Sequence, residues 1–473
     1  MNKLNSLCNI IVAGLFTLLV IRPLAHNGMF GDGLFYASVA KNLSDGIGTW
    51  WHPQFSKTLF EHFHEQPPLM IWLQSFFFYH MGDSIYPERI YSALAGVVML
   101  LLIAYAWKQI NTDEAIKKIA WLPQLLWLLI PTVPWGLRNN MIENTMVIFD
   151  WLSVIFIIQF LKNKKTRLTF ILAVLFLFCA SFTKGFQGLF PLAAPFCYWL
   201  STQRISFKKM MITSVVLLAS IGFIYFLLLQ IPEASKSYNE YFASRFQGFP
   251  KTINSTTNNR LWLLYRLIVE LCIPALLCLI IILLIQRKSF YKNLGKEEKS
   301  MALFFFMIAL TASLPLMVTF EQRGFYLVTS MPFFAFALAI IAAPSIKLAM
   351  EKLSSNVKKY LAMQVVAWLL LAAGIFLSVF EAGNINRDND QLHDVYLLKE
   401  KLGANIIVGT SFDKTQWSLY NYFMRDAGIS FDYKATDHQY YLQLKSEVPV
   451  NLPQYQKSDL ATLYVDVYEK VKN

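Results

Sequence analysis

The sequence predicts an α-helical membrane protein with many spans and a small α/β domain at its C-terminus. The chain of 473 residues is 56% hydrophobic. Only 15% of its residues are charged, against roughly 25% in a soluble globular protein. Apolar runs long enough to cross a bilayer, about 17 to 25 residues each, recur along its first four fifths. A soluble enzyme and a nucleic-acid-binding protein are therefore both poor interpretations of the composition.

About eleven transmembrane helices are predicted from these runs. They fall near 7–24, 84–107, 119–136, 140–161, 168–184, 185–200, 210–231, 261–285, 300–320, 325–344 and 360–380. A tight turn at Thr183-Lys184-Gly185 joins the 168–184 and 185–200 helices. The start of the chain resembles a signal peptide, but no small-residue cleavage site follows, so we interpret it as a retained first span.

Lysine and arginine are concentrated in alternate loops, which predicts the topology. The basic loops lie near 117–118, 162–167, 204–209, 287–299 and 347–359, and the loops between them are 25–66, 137–140, 183–186, 232–260 and 321–324. The positive-inside rule places the basic set in the cytoplasm. The N-terminus is then cytoplasmic and the C-terminal domain extracytoplasmic, or periplasmic in an inner membrane. The net charge of +12 is thus explained without a nucleic-acid partner.

The longest polar interruption in the first half of the chain is the loop Met29–Leu69, which holds a cluster of histidines and carboxylates. Residues 33–44 within it have the pattern of an amphipathic helix. The segment Pro67–Gly82 begins with two prolines, which suit a helix start, and is too short to span, so it predicts an interfacial helix.

The composition changes beyond Glu381, where a polar linker begins. We therefore expect a transmembrane domain over 1–383 and a small α/β domain over 384–473. Within the latter, the pattern predicts strands at Asn405–Gly409, Ile429–Tyr433 and Ala461–Val467 and a helix at Gln416–Arg425. The five cysteines lie in apolar segments without paired spacing, so they indicate neither a disulfide nor a metal framework.

Four separate segments bring five charged residues to the predicted outer face, as a site at that face would require. The residues are Asp32, Glu143, Lys184, Glu321 and Arg323. Each also has a structural interpretation. Asp32 is well placed as the N-cap of the 33–44 helix, Glu143 as an acid at a helix start, and Lys184 as a snorkelling lysine.

Two other groups of charged residues have alternative interpretations. Arg266 and Glu270 are spaced i,i+4 in one span, which favours pairing within that helix. His62 and His64, with Glu61 and Glu65, have side chains that ligate metals, but their spacing matches no firm motif. A divalent metal is therefore permitted by the sequence but not firmly implied, and we assign no metal ligand from it.

Taken in order, several motifs resemble the protein mannosyltransferase and aminoarabinose transferase family. They are Asp32 with Tyr36, Ala37 and Ala40; Gly46; Trp50-Trp51-His52-Pro53; Phe63-His64-Glu65-Gln66-Pro67-Pro68-Leu69; Glu88-Arg89-Ile90-Tyr91-Ser92-Ala93-Leu94; Glu143-Asn144-Thr145-Met146; Phe182-Thr183-Lys184-Gly185; and Arg323-Gly324-Phe325-Tyr326-Leu327 before Pro332. The resemblance covers about residues 1–345. The acid-Pro-Pro-Leu and Thr-Lys-Gly motifs, in this order, are its most specific part.

The resemblance implies a glycosyltransferase-C (GT-C) fold and inverting transfer of a sugar from a polyprenyl-phosphate carrier at the outer face of the inner membrane. It implies Asp32 as the base, with Glu143 as a second acid that orients the acceptor or shares that role. It implies Lys184 and Arg323 as contacts of the donor phosphate, and Glu65, His64 and Gln66 as residues that organise the loop.

The family pattern is broken at two positions. Many members have Glu after the first Asp and Lys before the proline pair, whereas this chain has Gly33 and Gln66. The missing lysine removes one phosphate contact, for which Lys57, Arg260 or Arg245 are candidates. A transporter or flippase of a lipid-linked or anionic substrate is the alternative function, and a receptor or scaffold the third. Charges gathered at one face, rather than at mid-span, favour the enzyme.

Overall fold

The computed structural model describes residues 2–246, 259–286, 294–319, 321–354, 356–412, 414–433, 435–449 and 452–471. The chain forms two compact units. The first contains residues 1–23 and 92–380, and the second contains residues 24–91 and 381–473. The loop Met29–Leu69 therefore packs with the C-terminal residues, a grouping that no boundary along the sequence expresses.

The helices from the N-terminus to residue 246 are α1 (Asn2–Phe16), α2 (Arg22–Ala25), α3 (Gly31–Ser44), α4 (Leu69–Met81), α5 (Pro87–Ile110), α6 (Glu114–Lys117), α7 (Trp121–Leu128), α8 (Thr132–Arg138), α9 (Ile142–Leu161), α10 (Thr166–Lys184), α11 (Ala194–Thr202), α12 (Phe207–Leu228) and α13 (Pro232–Phe246). Those that follow are α14 (Trp262–Gln286), α15 (Lys296–Ser313), α16 (Met331–Ser354), α17 (Val357–Phe380), α18 (Asn389–Leu402) and α19 (Trp417–Tyr422). Short 3-10 or π segments lie at Thr17–Ile21, Gly185–Ala193, Leu314–Val318, Gly324–Ser330, Lys414–Gln416 and Phe423–Ala427.

The described residues include nine helical runs long and apolar enough to cross a membrane, which confirms a multi-pass membrane protein. The difference from about eleven predicted spans has two sources. Residues 166–202 form one run, in which Gly185 has a φ of 62° at the position of the predicted turn. The 119–136 segment is divided into α7 and α8, because Pro131 interrupts the helix between them.

The core of the first unit is aromatic. Trp151 of α9 packs against Phe333 of α16 at a ring-centroid distance of 4.9 Å, and Phe305 of α15 packs against Phe336 at 4.5 Å. These rings are buried, whereas α12, α14 and α17 keep most of their apolar side chains exposed. Apolar surface on long helices is what a lipid environment accommodates. The core thus holds α9, α15 and α16 together and leaves three helices to face lipid.

The second unit contains a five-stranded mixed sheet. Its strands are β1 (Ile407–Thr410), β2 (Ser430–Tyr433), β3 (Tyr440–Leu444), β4 (Tyr455–Lys457) and β5 (Val465–Lys470), in the order β2-β1-β3-β5-β4. β1 is parallel to β2 and β3, and β5 is antiparallel to β3 and β4. The predicted α/β domain is confirmed, with β3 and β4 as strands that the sequence pattern did not indicate.

Helices α3 and α4 belong to the second unit and confirm that two helices form in this loop and directly after it. Helix α3 spans the segment 33–44, and α4 occupies the segment after the two prolines and ends before Gly82, whose φ is 69°; the interfacial position of α4 stays a prediction. One prediction is wrong: Asp32 is not the N-cap of α3. Phe30 takes that position without a side-chain hydrogen bond, and Asp32 lies inside the first turn. A carboxylate there still interacts favourably with the helix dipole.

Candidate functional site

The first unit buries an ion pair between two predicted site residues. Glu143 lies in the first turn of α9 and is fully buried, and Lys184 is the last residue of α10 with 8% of its surface exposed. The Lys184 Nζ donates to the Glu143 Oε1. The Glu143 Oε2 is also buried and has no hydrogen-bond partner among the described residues. The pair therefore keeps one carboxylate oxygen able to accept a further hydrogen bond.

The surroundings of Lys184 hold its ammonium in place. The Nζ lies 4.3 Å from the centroid of the Tyr326 ring, a cation–π contact. The Gln187 side chain donates to the carbonyl oxygen of Tyr326 over 3.1 Å. A Cβ on Gly185 would meet the hydroxyl of Tyr241 from α13. The Thr-Lys-Gly motif thus needs glycine both for the positive φ and for the close approach of this tyrosine.

An open cleft of about 580 Å³ lies on the same unit. It is lined by Leu19, Pro131, Thr132, Pro134, Trp135, Arg138, Trp262, Arg266, Gly324 and Phe325. The rings of Trp135 and Phe325 are stacked, with centroids 5.6 Å apart and planes 16° apart. The Phe325 ring in turn contacts Tyr326 at 5.0 Å. An apolar, aromatic cleft with two arginines suits a ligand that combines a lipid chain with an anionic group.

Arg266 is attached to this cleft by a buried acid. Its guanidinium lies 2.7 Å from the Glu270 Oε1, which confirms the i,i+4 pairing expected within one helix. Glu270 is 1% exposed, and its Oε2 accepts from the backbone N–H of Thr132 at the start of α8 over 2.8 Å. Glu270 therefore joins α14 to α8 and orients Arg266, whose side chain stays 44% exposed, toward the cleft surface.

The other two basic candidates of this unit are exposed. Arg323 pairs with Glu321 at 3.0 Å, with both side chains about half exposed. Arg260 donates to the carbonyl oxygen of Thr319. Both cations thus attach to the short segment 319–323 and are not in the Glu143–Lys184 pair. The side chain of Arg245 lies outside the described residues.

In the second unit, Asp32 is half-buried on a firmly held helix start. The backbone N–H of Met29 donates to the Tyr422 hydroxyl over 3.0 Å, and that hydroxyl lies within hydrogen-bond distance of the Met29 carbonyl oxygen and of Asp388. A Cβ on Gly31 would lie 3.3 Å from the Trp417 ring. The sheet domain therefore sets the position of the turn that carries Asp32.

The loop that follows α3 is attached to the same domain through Lys57. The Lys57 Nζ donates to the Asn405 carbonyl oxygen over 2.7 Å, and its backbone N–H donates to Ser430. Thr58 donates to the carbonyl oxygen of Phe431 over 2.7 Å. Lys57 is placed as an anchor of the loop, so a contact with a donor phosphate would require this bond to break.

The predicted loop-organising residues lie at the end of that loop. His64 is 8% exposed, and Glu65 and Gln66 are half-buried immediately before α4. Trp72 of α4 donates from its indole N–H to the Trp50 carbonyl oxygen over 2.7 Å and packs against Trp51. The aromatic residues of the Trp-Trp-His-Pro motif thus hold the loop against α4.

A buried ion network lies elsewhere in the second unit. Arg425 is 1% exposed and donates to Glu88 over 2.9 Å, to Asp83 over 3.1 Å and to the carbonyl oxygen of Ser84. Glu88 also pairs with Arg89 at 2.7 Å. The Glu-Arg motif of the sequence therefore joins the sheet domain to the start of α5, a structural role.

Sequence reasoning missed Trp135, Arg138 and Tyr326 as site residues. Trp135 and Arg138 are three apart on the short helix α8, a spacing that places them on one face. That spacing was the available signal for the pair. Tyr326 stands inside a quoted motif, but its contact with Lys184 joins residues 142 positions apart and follows from no local pattern.

Comparison with known proteins supports the resemblance. The family model of dolichyl-phosphate-mannose-protein mannosyltransferase matches residues 65–228. The crystal structure of ArnT from Cupriavidus metallidurans bound to undecaprenyl phosphate superposes with a TM-score of 0.68 at 13% identity, over 98% of this chain and 97% of that one. The apo form of ArnT gives 0.65 at 12% identity over the same shares. No curated protein sequence matches significantly.

The fold and the family match agree with the motifs. A chain at 13% identity shows the fold alone, but it does so over nearly the whole length of both proteins. The family match falls on the part of the chain that contains the Glu-Gln-Pro-Pro, Glu143 and Lys184 motifs. The predicted resemblance to the protein mannosyltransferase and aminoarabinose transferase family is thus confirmed, and this membrane protein has the GT-C fold of ArnT.

Proposed function

We propose that this protein is an inverting glycosyltransferase that moves a sugar from a polyprenyl-phosphate donor, with undecaprenyl phosphate as the expected carrier, to a hydroxyl or phosphate of a lipid, glycan or protein. The observation that carries this proposal is the buried Glu143–Lys184 pair under Tyr326, on a unit whose cleft combines aromatic rings and arginines. Undecaprenyl phosphate in the ArnT structure supports a polyprenyl-phosphate donor.

The chemistry requires two things of the protein. The bond between the anomeric carbon and the phosphate oxygen breaks, so the departing polyprenyl phosphate gains negative charge, which a fixed cation stabilises. Lys184 is assigned this role, and Arg138, Arg266, Arg323 and Arg260 are cations of the same unit for the phosphate. A buried ammonium that is already oriented costs little reorganisation when that charge develops.

The acceptor oxygen forms the new bond to the anomeric carbon from the opposite face and loses its proton. Asp32 is assigned as the base that takes this proton, because its carboxylate lies half-buried on a helix start that the sheet domain holds. Glu143 is assigned to orient the acceptor, since its Oε2 accepts no hydrogen bond from the described residues. Glu65, His64 and Gln66 keep the loop beside α4 in place.

The proposed location is the inner membrane, with the N-terminus in the cytoplasm and transfer on the outer, periplasmic side. Alternation of basic loops along the sequence supports this orientation. The exposed apolar side chains of α4, which include Phe76 and Tyr79, support contact of the outer loop with the bilayer interface.

The test is consumption of radiolabelled undecaprenyl-phosphate-linked sugars, including mannose and aminoarabinose, by membranes containing the wild type or Asp32→Asn. We expect a loss of about 10² to 10⁴ in rate for Asp32→Asn at equal folded yield. Asp45→Asn is the matched control, because Asp45 is the exposed acid at the other end of the same helix. Equal consumption by wild type and Asp32→Asn would remove Asp32 as the base.

The second candidate function is transport of a lipid-linked or anionic substrate. Asp150 in the middle of α9 favours it, because this carboxylate is fully buried and neither oxygen has a partner among the described residues. If wild type consumes no donor but moves fluorescent undecaprenyl phosphate across proteoliposomes, and Asp150→Asn does not, the transporter is the correct interpretation.

A further inference from the structure

The outer loop folds back on itself between α3 and α4. The backbone N–H of Phe63 donates to the Pro53 carbonyl oxygen over 2.7 Å, and that of Phe55 donates to Phe60 over 3.0 Å. A further bridge joins Gly48 to Pro53. These bonds place His52 beside the segment 62–64, although ten or more residues separate them in the sequence.

Residues 62–64 then direct their side chains in alternation. Phe63 is 2% exposed and packs against Phe35 of α3 at a ring-centroid distance of 5.1 Å. The rings on either side of it, His62 and His64, lie 5.9 Å apart. His52 completes the group, at 5.0 Å from His62 and 5.3 Å from His64. One ring nitrogen of each histidine lies within 4.8 Å of those of the other two.

We propose that His52, His62 and His64 form a Zn²⁺ site that closes the outer loop. Zn²⁺ binds imidazole nitrogen at about 2.0 to 2.1 Å in a tetrahedron, so three bound nitrogens lie about 3.3 Å apart. The candidate ligand atoms lie within 4.8 Å of one another, so metal binding requires the side chains to close in, and His62 is exposed and able to rotate. Three imidazoles select zinc or a similar transition metal over magnesium.

This site differs from the metal group considered from the sequence. His62 and His64 remain, but His52 replaces the carboxylates of Glu61 and Glu65, because backbone pairing brings it next to them. Bound metal joins residue 52 to residues 62–64 and so orders the loop immediately before Glu65 and the start of α4. The inference concerns metal binding by the loop and does not depend on the proposed transferase activity.

The experiment measures Zn²⁺ binding to the full chain in detergent, purified with an affinity tag that contains no histidine and stripped with EDTA. Zn²⁺ is titrated against a chromophoric chelator, and Co²⁺ is added separately as a spectroscopic probe. We expect one Zn²⁺ per chain and a Co²⁺ absorption spectrum of tetrahedral type. His52→Ala and His62→Ala should each weaken Zn²⁺ binding by about 10- to 100-fold or more.

His80→Ala is the matched control, since His80 is an exposed histidine at the end of α4 and is outside the group. It should bind Zn²⁺ as the wild type does. Equal elution profiles in size exclusion show that the variants are folded. The proposal is overturned if the wild type binds Zn²⁺ no more tightly than a triple His52, His62 and His64 to Ala variant, or if His52→Ala keeps the full affinity.

Discussion

Lys184 in the first unit and Arg425 in the second are both buried cations that pair with a buried carboxylate. Arg425 donates to Glu88, Asp83 and the Ser84 carbonyl oxygen, and its guanidinium lies 4.8 Å from the centroid of Phe78. Lys184 pairs with Glu143, whose second oxygen accepts nothing from the described residues, and it lies over Tyr326. The Arg425 network uses its charges to join chain segments. The Lys184 pair retains a carboxylate oxygen, the Glu143 Oε2, that is able to accept a further hydrogen bond.

This difference shows how a buried charge with a structural role is distinguished from one with a functional role. Removing an ion pair from water costs free energy. Such a pair therefore persists where well-placed hydrogen bonds offset that cost or where chemistry needs the charges. In the Arg425 network, several charge-assisted hydrogen bonds from Arg425 to α5 and to the turn before it offset the desolvation cost. In the Lys184 pair the Glu143 Oε2 accepts no hydrogen bond from the described residues, which is expected of a group that acts on a substrate.

The largest expected effect is on stability at Arg425. Arg425→Met leaves Glu88 buried beside Arg89 alone and should lower the free energy of unfolding by about 3 to 5 kcal/mol. Thermal unfolding in detergent measures it. Arg204→Gln is the control, because its pair with Glu297 at 2.9 Å is exposed and should contribute only about 0 to 1 kcal/mol. Similar losses for the two variants would show that the buried network has no special role.

The next effect is on transfer at Lys184. Lys184→Met should lower the rate of sugar transfer by about 10² to 10³, because the cation that stabilises the departing phosphate is removed. It should also destabilise the protein, since Glu143 is left buried without its cation. The double variant Glu143→Gln with Lys184→Met removes both charges and should recover much of the stability but none of the transfer. Recovery of transfer in the double variant would make the pair structural, like the Arg425 network.

A smaller effect is expected from acid. Burial alone would raise the pKa of Asp83, but its hydrogen bond with Lys41 and the charges of Lys41, Arg425 and Lys399 outweigh burial and lower that pKa. A carboxyl with a lowered pKa adds stability above its unfolded value, about 3.9, and loses it as the pH falls through the folded value. The melting temperature of wild type should therefore fall more steeply below about pH 4 than that of Asp83→Asn. Both proteins contain Asp426, whose pKa burial raises. The difference between the two melting curves against pH therefore reports Asp83. Parallel curves would contradict it.

The smallest effect is at Lys57. If Lys57 is only an anchor of the loop, Lys57→Met should lower the free energy of unfolding by about 0.5 to 1.5 kcal/mol, through loss of the bond to Asn405, and leave transfer per folded molecule unchanged. If it contacts the donor phosphate instead, the Michaelis constant for the donor should rise. Kinetics with varied donor concentration distinguish the two roles.

Local patterns predicted the parts of the fold that depend on near neighbours. Apolar length indicated the spans, and the glycine after Lys184 indicated the turn that the φ of Gly185 now confirms. The interpretation of Asp32 as the N-cap was wrong by two residues, because Phe30 takes that position without a side-chain hydrogen bond, which a capping rule based on residue type does not anticipate. The break between α7 and α8 was missed because hydropathy does not register the effect of Pro131 on the helix.

What the sequence alone determined is the membrane class, the sheet domain and the identity of the charged residues near its family motifs. Each follows from composition or from interactions among residues close along the chain. Only the tertiary structure decided which of those charges meet. Glu88 and Arg425 are 337 positions apart, and Glu143 and Lys184 are 41 apart. Such pairs form because packing of whole helices brings them together, and the cost of burying a charge then selects the partner that satisfies it.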